Sequence, residues 1–269
     1  MAITTADGLV AAAKWPITYT KTAAVTSIAA NWFSMLDVAG APGAGSLAIG
    51  NTANGVVPDD TTAGFPSIPS FGGGATGYLT TVQYGCTVAS RLAIYDRLFH
   101  AGSISLTTLG TTTLTSQPSF LGRVPGGAGA ECEIWLEINT AVSATATTVA
   151  VAYTNSDGTT GRTTGATTSL SGYTTRRLIR LPFQAGDRGV QKIESVTVGG
   201  TVATAGTVNV IVARPLWKGR VKIANDGGVD GWDRLQMPVV YDTSALWAMV
   251  CADSTSTGIP DLLMTIANG

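Results

Sequence analysis

Between about residues 77 and 215, apolar and polar positions alternate with a period of two, in short runs parted by glycine or by Asn and Asp. In ECEIWLEI, Cys132, Ile134, Leu136 and Ile138 fall on one side and Glu131, Glu133, Trp135 and Glu137 on the other, which is the pattern of a half-buried strand. YLTTVQY, ISLTTL, TTVAVAYT, RRLIRLPF, KIESVTV and TVNVIVA read the same way, and their Thr and Val suit a pleated surface without needing charge. Asp157-Gly158 and Gly199-Gly200 offer turns, because glycine reaches positive φ without a Cβ clash. Nothing reads as strand, helix, strand. The pattern predicts a mainly β chain: an antiparallel β-sandwich of the jelly-roll-like kind.

The ends of the chain are patterned differently. ADGLVAAAKW predicts a short helix stopped by Pro16, and TSIAANWFSMLDVAG is a second amphipathic stretch. APGAGSLAIGN and GFPSIPSFGGGATG follow as extended, loop-rich chain. Residues 1–75 therefore read as an irregular N-terminal arm carrying short helices that packs on something else, with Trp15, Trp32, Phe33 and Phe71 as candidate assembly contacts. Residues 76–269 read as the sandwich, including an irregular tail from 216 that ends in a strand, LLMTIANG.

Charge changes the picture. Lys, Arg, Asp and Glu make up 12% of the residues, about half the usual share of roughly 25%. The formal net charge is -1, apolar residues reach 45% and the mean hydropathy is +0.26. Such an exterior is expected to be covered by other protein chains, since their apolar contacts can replace water. A membrane is not expected to cover it: the longest apolar run, ALWAMVCA, is far shorter than a spanning helix of about 20 residues. The short LVAAA segment, followed by Lys14 and Pro16 and preceded by no basic stretch, does not read as a secretory signal, so assembly in a cytoplasm is expected. Cys86, Cys132 and Cys251 are spaced for neither disulfides nor zinc and read as small buried hydrophobes.

Candidate chemistry is sparse. The one histidine, His100, lies in RLFHAGSIS, and Ser103 nearby sits in no G-x-S-x-G elbow, so His100 reads as a hydrogen-bonded strand residue. NDGGVDGWD brings Asp226, Asp230 and Asp233 close in sequence, but an EF-hand count from Asp226 puts Gly228 at its third position and Met237 where the bidentate Glu belongs; it reads as a tight turn. GAGSLA matches a dinucleotide fingerprint only in its letters and reads as loop. Arg176, Arg177 and Arg180 form the best basic cluster and are expected to make ion pairs; nucleic-acid binding is not expected. No acid, base and nucleophile converge, so neither catalysis nor a cofactor is expected.

The segments RLAIYDRLFHAGSISLTTLGTTT, VAYTNSDGTTGRT and LPFQAGDRGVQKIESVTVGGT resemble, in that order, stretches of virion structural proteins of tailed bacteriophages. The resemblance covers roughly residues 78–215 and rests on Y-D-R-L, Y-T-N-S-D-G-T and Q-A-G-D-x-G-V in combination. It implies a structural role in a phage particle, as a capsid cement or decoration protein on the capsid exterior, and it carries over no catalytic residues. The leading expectation is an oligomer, in particular a homotrimer, whose arm staples neighbouring subunits of the major capsid protein. The alternative is a tail-tip or fibre-associated module that binds a host carbohydrate receptor through exposed aromatics.

Overall fold

The structure is a computed structural model, and it describes residues 3–72 and 76–269. Its strands are β1 (Lys14–Lys21), β2 (Trp32–Ser34), β3 (Gly40–Ala41), β4 (Gly77–Cys86), β5 (Ser90–Ser105), β6 (Gly110–Thr113), β7 (Glu133–Thr140) and β8 (Thr147–Asn155). They continue as β9 (Arg162–Thr163), β10 (Arg177–Leu181), β11 (Val190–Gly200), β12 (Thr207–Val221), β13 (Asp226–Asp230), β14 (Val239–Val240), β15 (Leu246–Ala252) and β16 (Pro260–Asn268). Two short α-helices, α1 (Ala6–Ala11) and α2 (Trp232–Leu235), are added. The chain is mainly β, with antiparallel pairing, as the period of two predicts.

The chain divides into two compact units: residues 1–46, 59–96 and 216–269 form unit 1, and residues 47–58 and 97–215 form unit 2. This is not the division expected at residue 75, a position that lies outside the described residues. The boundaries at 96/97 and 215/216 fall within β5 and β12 instead.

In unit 1 a six-stranded sheet runs β13-β4-β16-β1-β3, with β14 also on β4. β1 is therefore no loose arm, because β16 and β3 flank it and it sends Ile17 and Tyr19 into the core. Of the two N-terminal helices expected, α1 forms, its N-cap Thr5 accepting from the Gly8 amide. The second does not: Ala30 takes a left-handed φ of 62°, and Phe33 pairs with Val250 as part of β2. Pairing on an apolar strand has overridden helical patterning there. β15 is buried at every position, which explains why its apolar run shows no alternation. It pairs with β2 and with residues 90–96 of β5, and its side chains share one core with Val82, Leu262 and Met264 of the large sheet.

Unit 2 has a four-stranded sheet, β6-β11-β8-β9, and β7 paired between β10 and β12. Ile134, Leu136 and Ile138 of β7 pack with Val149, Val151, Ile193 and Val196 in a second core, so the inward side of β7 is the one its sequence predicts. The other side differs from expectation, since Glu133, Trp135 and Glu137 are buried too. Glu137 and Arg97, both fully buried, pair at 2.8 Å. Asn209 Nδ2 donates to Glu137 Oε2 at 2.9 Å and to the Leu47 carbonyl at 2.6 Å, while Arg97 Nη2 donates to His100 Nδ1 at 2.7 Å. Val56 and His100 exchange two backbone hydrogen bonds, both at 2.9 Å, so residues 47–58 lie over this polar cluster. Gly102 makes room for it, because a Cβ there would overlap Asn209 Oδ1.

Breaking a buried pair costs more than its net worth, because the surviving partner is left charged in a medium that cannot solvate it. Glu137→Ala is expected to lower the stability measured by urea unfolding by about 3–5 kcal/mol, and a loss near that of an exposed pair would contradict this account of the cluster.

Candidate assembly surface

One side of the large sheet in unit 1 faces its core and the other faces outward. Registers place Val229, Gln83, Leu263 and Thr18 in a single cross-strand row on the outward side. Gly227, Gly85, Asp261 and Thr20 form the adjacent row. Thr81, Thr265 and Pro16 continue the face on the far side of the first row. Asp261 is the single ionisable side chain in these rows, and it accepts a hydrogen bond from the Thr20 hydroxyl. Gly85 and Gly227 leave a shallow groove of about 420 Å³ beside Leu263 and Tyr84. Val229 is 60% exposed and Leu263 41%; on the flanking chain Ile223 is 68% and Trp232 54% exposed. Single exposed apolar residues are ordinary; here several stand together on one sheet side, with the Asp261 and Asp226 carboxylates at the groove.

The residues singled out in the sequence fall elsewhere. Phe33 and Phe71 are buried core residues of unit 1, so neither is available to a partner in this fold. Trp15 is partly buried against the same core, and Trp32 is half-buried at the edge of a second groove. Sequence reasoning passed over Thr18, Gln83 and Leu263 because each is a single uncharged position on its own strand, and only the pairing of the strands sets them side by side. Asp230 is committed internally, accepting from Trp217 Nε1 at 2.9 Å and pairing with Arg234 at 2.8 Å. Among the described residues no group of three or more His, Cys, Asp or Glu could hold a metal ion. Arg180 pairs with Glu133 at 3.1 Å and Arg177 stacks on Tyr173, but Arg176 lies before β10 with a φ of 73°. His100 is fully buried; burial first, and the Arg97 guanidinium second, hold its pKa well below the ordinary value, with Asn209 opposing. Arginine can only donate, so Nδ1 is the acceptor and the ring proton sits on Nε2.

The motif residues converge on structural anchors. Asp187 of the Q-A-G-D motif accepts from Tyr153 at 2.7 Å, Asn155 at 2.8 Å and Arg162 at 2.9 Å, all three from β8, β9 and the hairpin between them. The Arg162 hydrogen bond above all, with those from Asn155 and Tyr153, lowers the Asp187 carboxyl from 3.8 to about 2. Burial first, and then Asp187, push the Tyr153 hydroxyl up to about 12. Asn155 Oδ1 also accepts from the Asp157 and Thr159 amides, and Gly158 has a φ of 81°, so the N-S-D-G turn closes on itself.

No family model and no curated protein matches the chain. Among solved structures it is similar to the infectious bursal disease virus VP2 subviral particle, at 11% identity over 95% of this chain and 79% of that one, with a TM-score of 0.22. It is also similar to a mutant VP2 protein of that virus in derived T=1 particles, at 10% identity over 96% and 77%, with a TM-score of 0.18. Likeness at this level carries no argument.

A carboxyl held below its unfolded value stabilises the fold above that value and ceases to do so as pH falls through the folded one. The stability gap between the natural chain and Asp187→Asn is therefore expected to be full above pH 3.8 and to close as pH falls toward about 2. Thermal midpoints of both chains across that range check this; a gap independent of pH would remove Asp187 from the account.

Proposed function

We propose that the chain is a virion structural protein that works by association: a cement or decoration protein on the capsid exterior, oligomeric and in particular trimeric, seated on the major capsid protein. Its antiparallel units are read as jelly-roll-like, the architecture its strand spacing predicts. The observation that carries the reading is the outward sheet face of unit 1, where Val229, Gln83, Leu263 and Thr18 stand in one row with Asp261 in the next and Asp226 at the groove beside them. The resemblance of the Y-D-R-L, Y-T-N-S-D-G-T and Q-A-G-D-x-G-V segments to tailed-phage virion proteins supports it, and those segments act in this fold as anchors of structure rather than as reactive groups.

The role is mechanical. Covering apolar surface contributes about 25 cal/mol per Å², and a stable contact covers about 800 Å² on each partner. Repeated over a shell, such contacts raise the cost of parting neighbouring subunits, with no bond made or broken.

The test is self-association of the purified chain. Sedimentation velocity is expected to show an oligomer, and the double variant Val229→Glu with Leu263→Glu to show a monomer of unchanged circular dichroism, because both side chains point away from the core. A natural chain that stays monomeric at high concentration would overturn the reading.

A further inference from the structure

A second surface of unit 1 is marked by charge. A groove of about 520 Å³ is lined by Arg91, Lys218, Arg220, Lys222 and Arg234, five of the sixteen lysines and arginines in the chain. Half-buried Trp32 and Tyr84 supply its apolar lining. Two carboxylates answer these cations: Asp230, paired with Arg234 at 2.8 Å, and Asp253, which stands 3.8 Å from Arg220. Arg91, Lys218 and Lys222 make no ion pair among the described residues, although the Lys218 ammonium lies 5.3 Å from the centre of the Tyr95 ring. A chain so sparing of charge gains nothing in stability by gathering like charges in one concavity, since they repel one another. A ligand of opposite charge turns that repulsion into attraction.

We propose that this groove binds a short acidic peptide segment of another protein chain, through its Asp or Glu carboxylates. Three of the five cations are arginines, whose guanidinium forks match carboxylates two hydrogen bonds at a time. The groove also holds the Asp230 carboxylate, with Asp253 beside Arg220. Asp230 is taken up by Trp217 and Arg234, but the exposed Asp253 carboxylate repels a phosphodiester backbone, which has no N–H to offer it, whereas a peptide presents backbone N–H donors between its acidic side chains. The volume suits a few side chains rather than a run of nucleotides. The inference does not depend on the sheet face acting as an interface between copies.

Isothermal titration of the full chain with an octa-glutamate peptide at low salt tests it, alongside octa-glutamine, a single-stranded thymidine oligomer and a sulfated oligosaccharide. Octa-glutamate is expected to bind best and to weaken as salt rises, because exposed charges are screened. The double variant Lys218→Ala with Lys222→Ala, both exposed positions, is expected to lose affinity roughly tenfold with an unchanged thermal midpoint. The Val229→Glu with Leu263→Glu variant is expected to bind as the natural chain does, which separates this groove from the sheet face. Absence of octa-glutamate binding, tighter binding of the oligonucleotide or the sulfated sugar, or affinity indifferent to the lysine pair would each overturn the proposal.

Discussion

Charge is scarce in this chain, and the fold spends much of it inward. Among the described residues eight Lys, Arg, Asp and Glu side chains are buried: Lys21, Asp96, Arg97, Arg123, Glu133, Glu137, Arg214 and Asp230. Such groups are almost never interior unless paired, and here the pairing builds the structure. Glu137 holds Arg97 and Asn209, and through Asn209 it fixes the Leu47 carbonyl. Arg123 donates to the Pro58 and Arg97 carbonyls, so both ends of the 47–58 segment are tied down by buried polar groups. What those interior contacts consume is missing from the exterior, and a charge-poor composition becomes a still poorer surface.

The Y-D-R-L motif illustrates how a strand divides such work. Successive side chains on β5 point to opposite faces. In unit 1, Asp96 accepts from the Ser244 hydroxyl at 2.8 Å and the Ala245 amide at 3.0 Å, fixing the turn that leads into β15. In unit 2, Arg97 meets Glu137. Adjacent residues of opposite charge, which in sequence look like a surface pair, serve two separate interiors.

Much of the β architecture was legible because a half-buried strand writes its environment into its own alternation. β4, β8, β11 and β12 stand where Thr- and Val-bearing runs predict them, β10 where RRLIRLPF does, and Asp157-Gly158 makes the predicted turn. Where the environment is two-sided the record fails. In β7, Glu137 of the predicted outer face is buried against Arg97 and Asn209, and Asn209 also holds the Leu47 carbonyl, contacts that connect residues far apart in the chain. The N-terminal region misled for a related reason: Ile17, Tyr19 and Phe33 look like arm residues because their partners, β16 and β15, come more than 200 residues later. The outward sheet face was invisible because its rows are assembled from four strands, each contributing one unremarkable Thr, Gln, Leu or Val.

Symmetry then constrains what that face can do. A patch that meets its own copy generates a two-fold axis, since the contact must be reciprocal. A trimer is built differently, from a patch that meets a second, dissimilar patch, with a rotation that closes after three steps. The proposed trimer could therefore not be built by the outward rows facing themselves; it would take a second surface of the molecule. Ile223 and Trp232, exposed on either side of β13, adjoin the rows themselves. Trp is the side chain that most often anchors such contacts, because it buries a large area for little lost freedom.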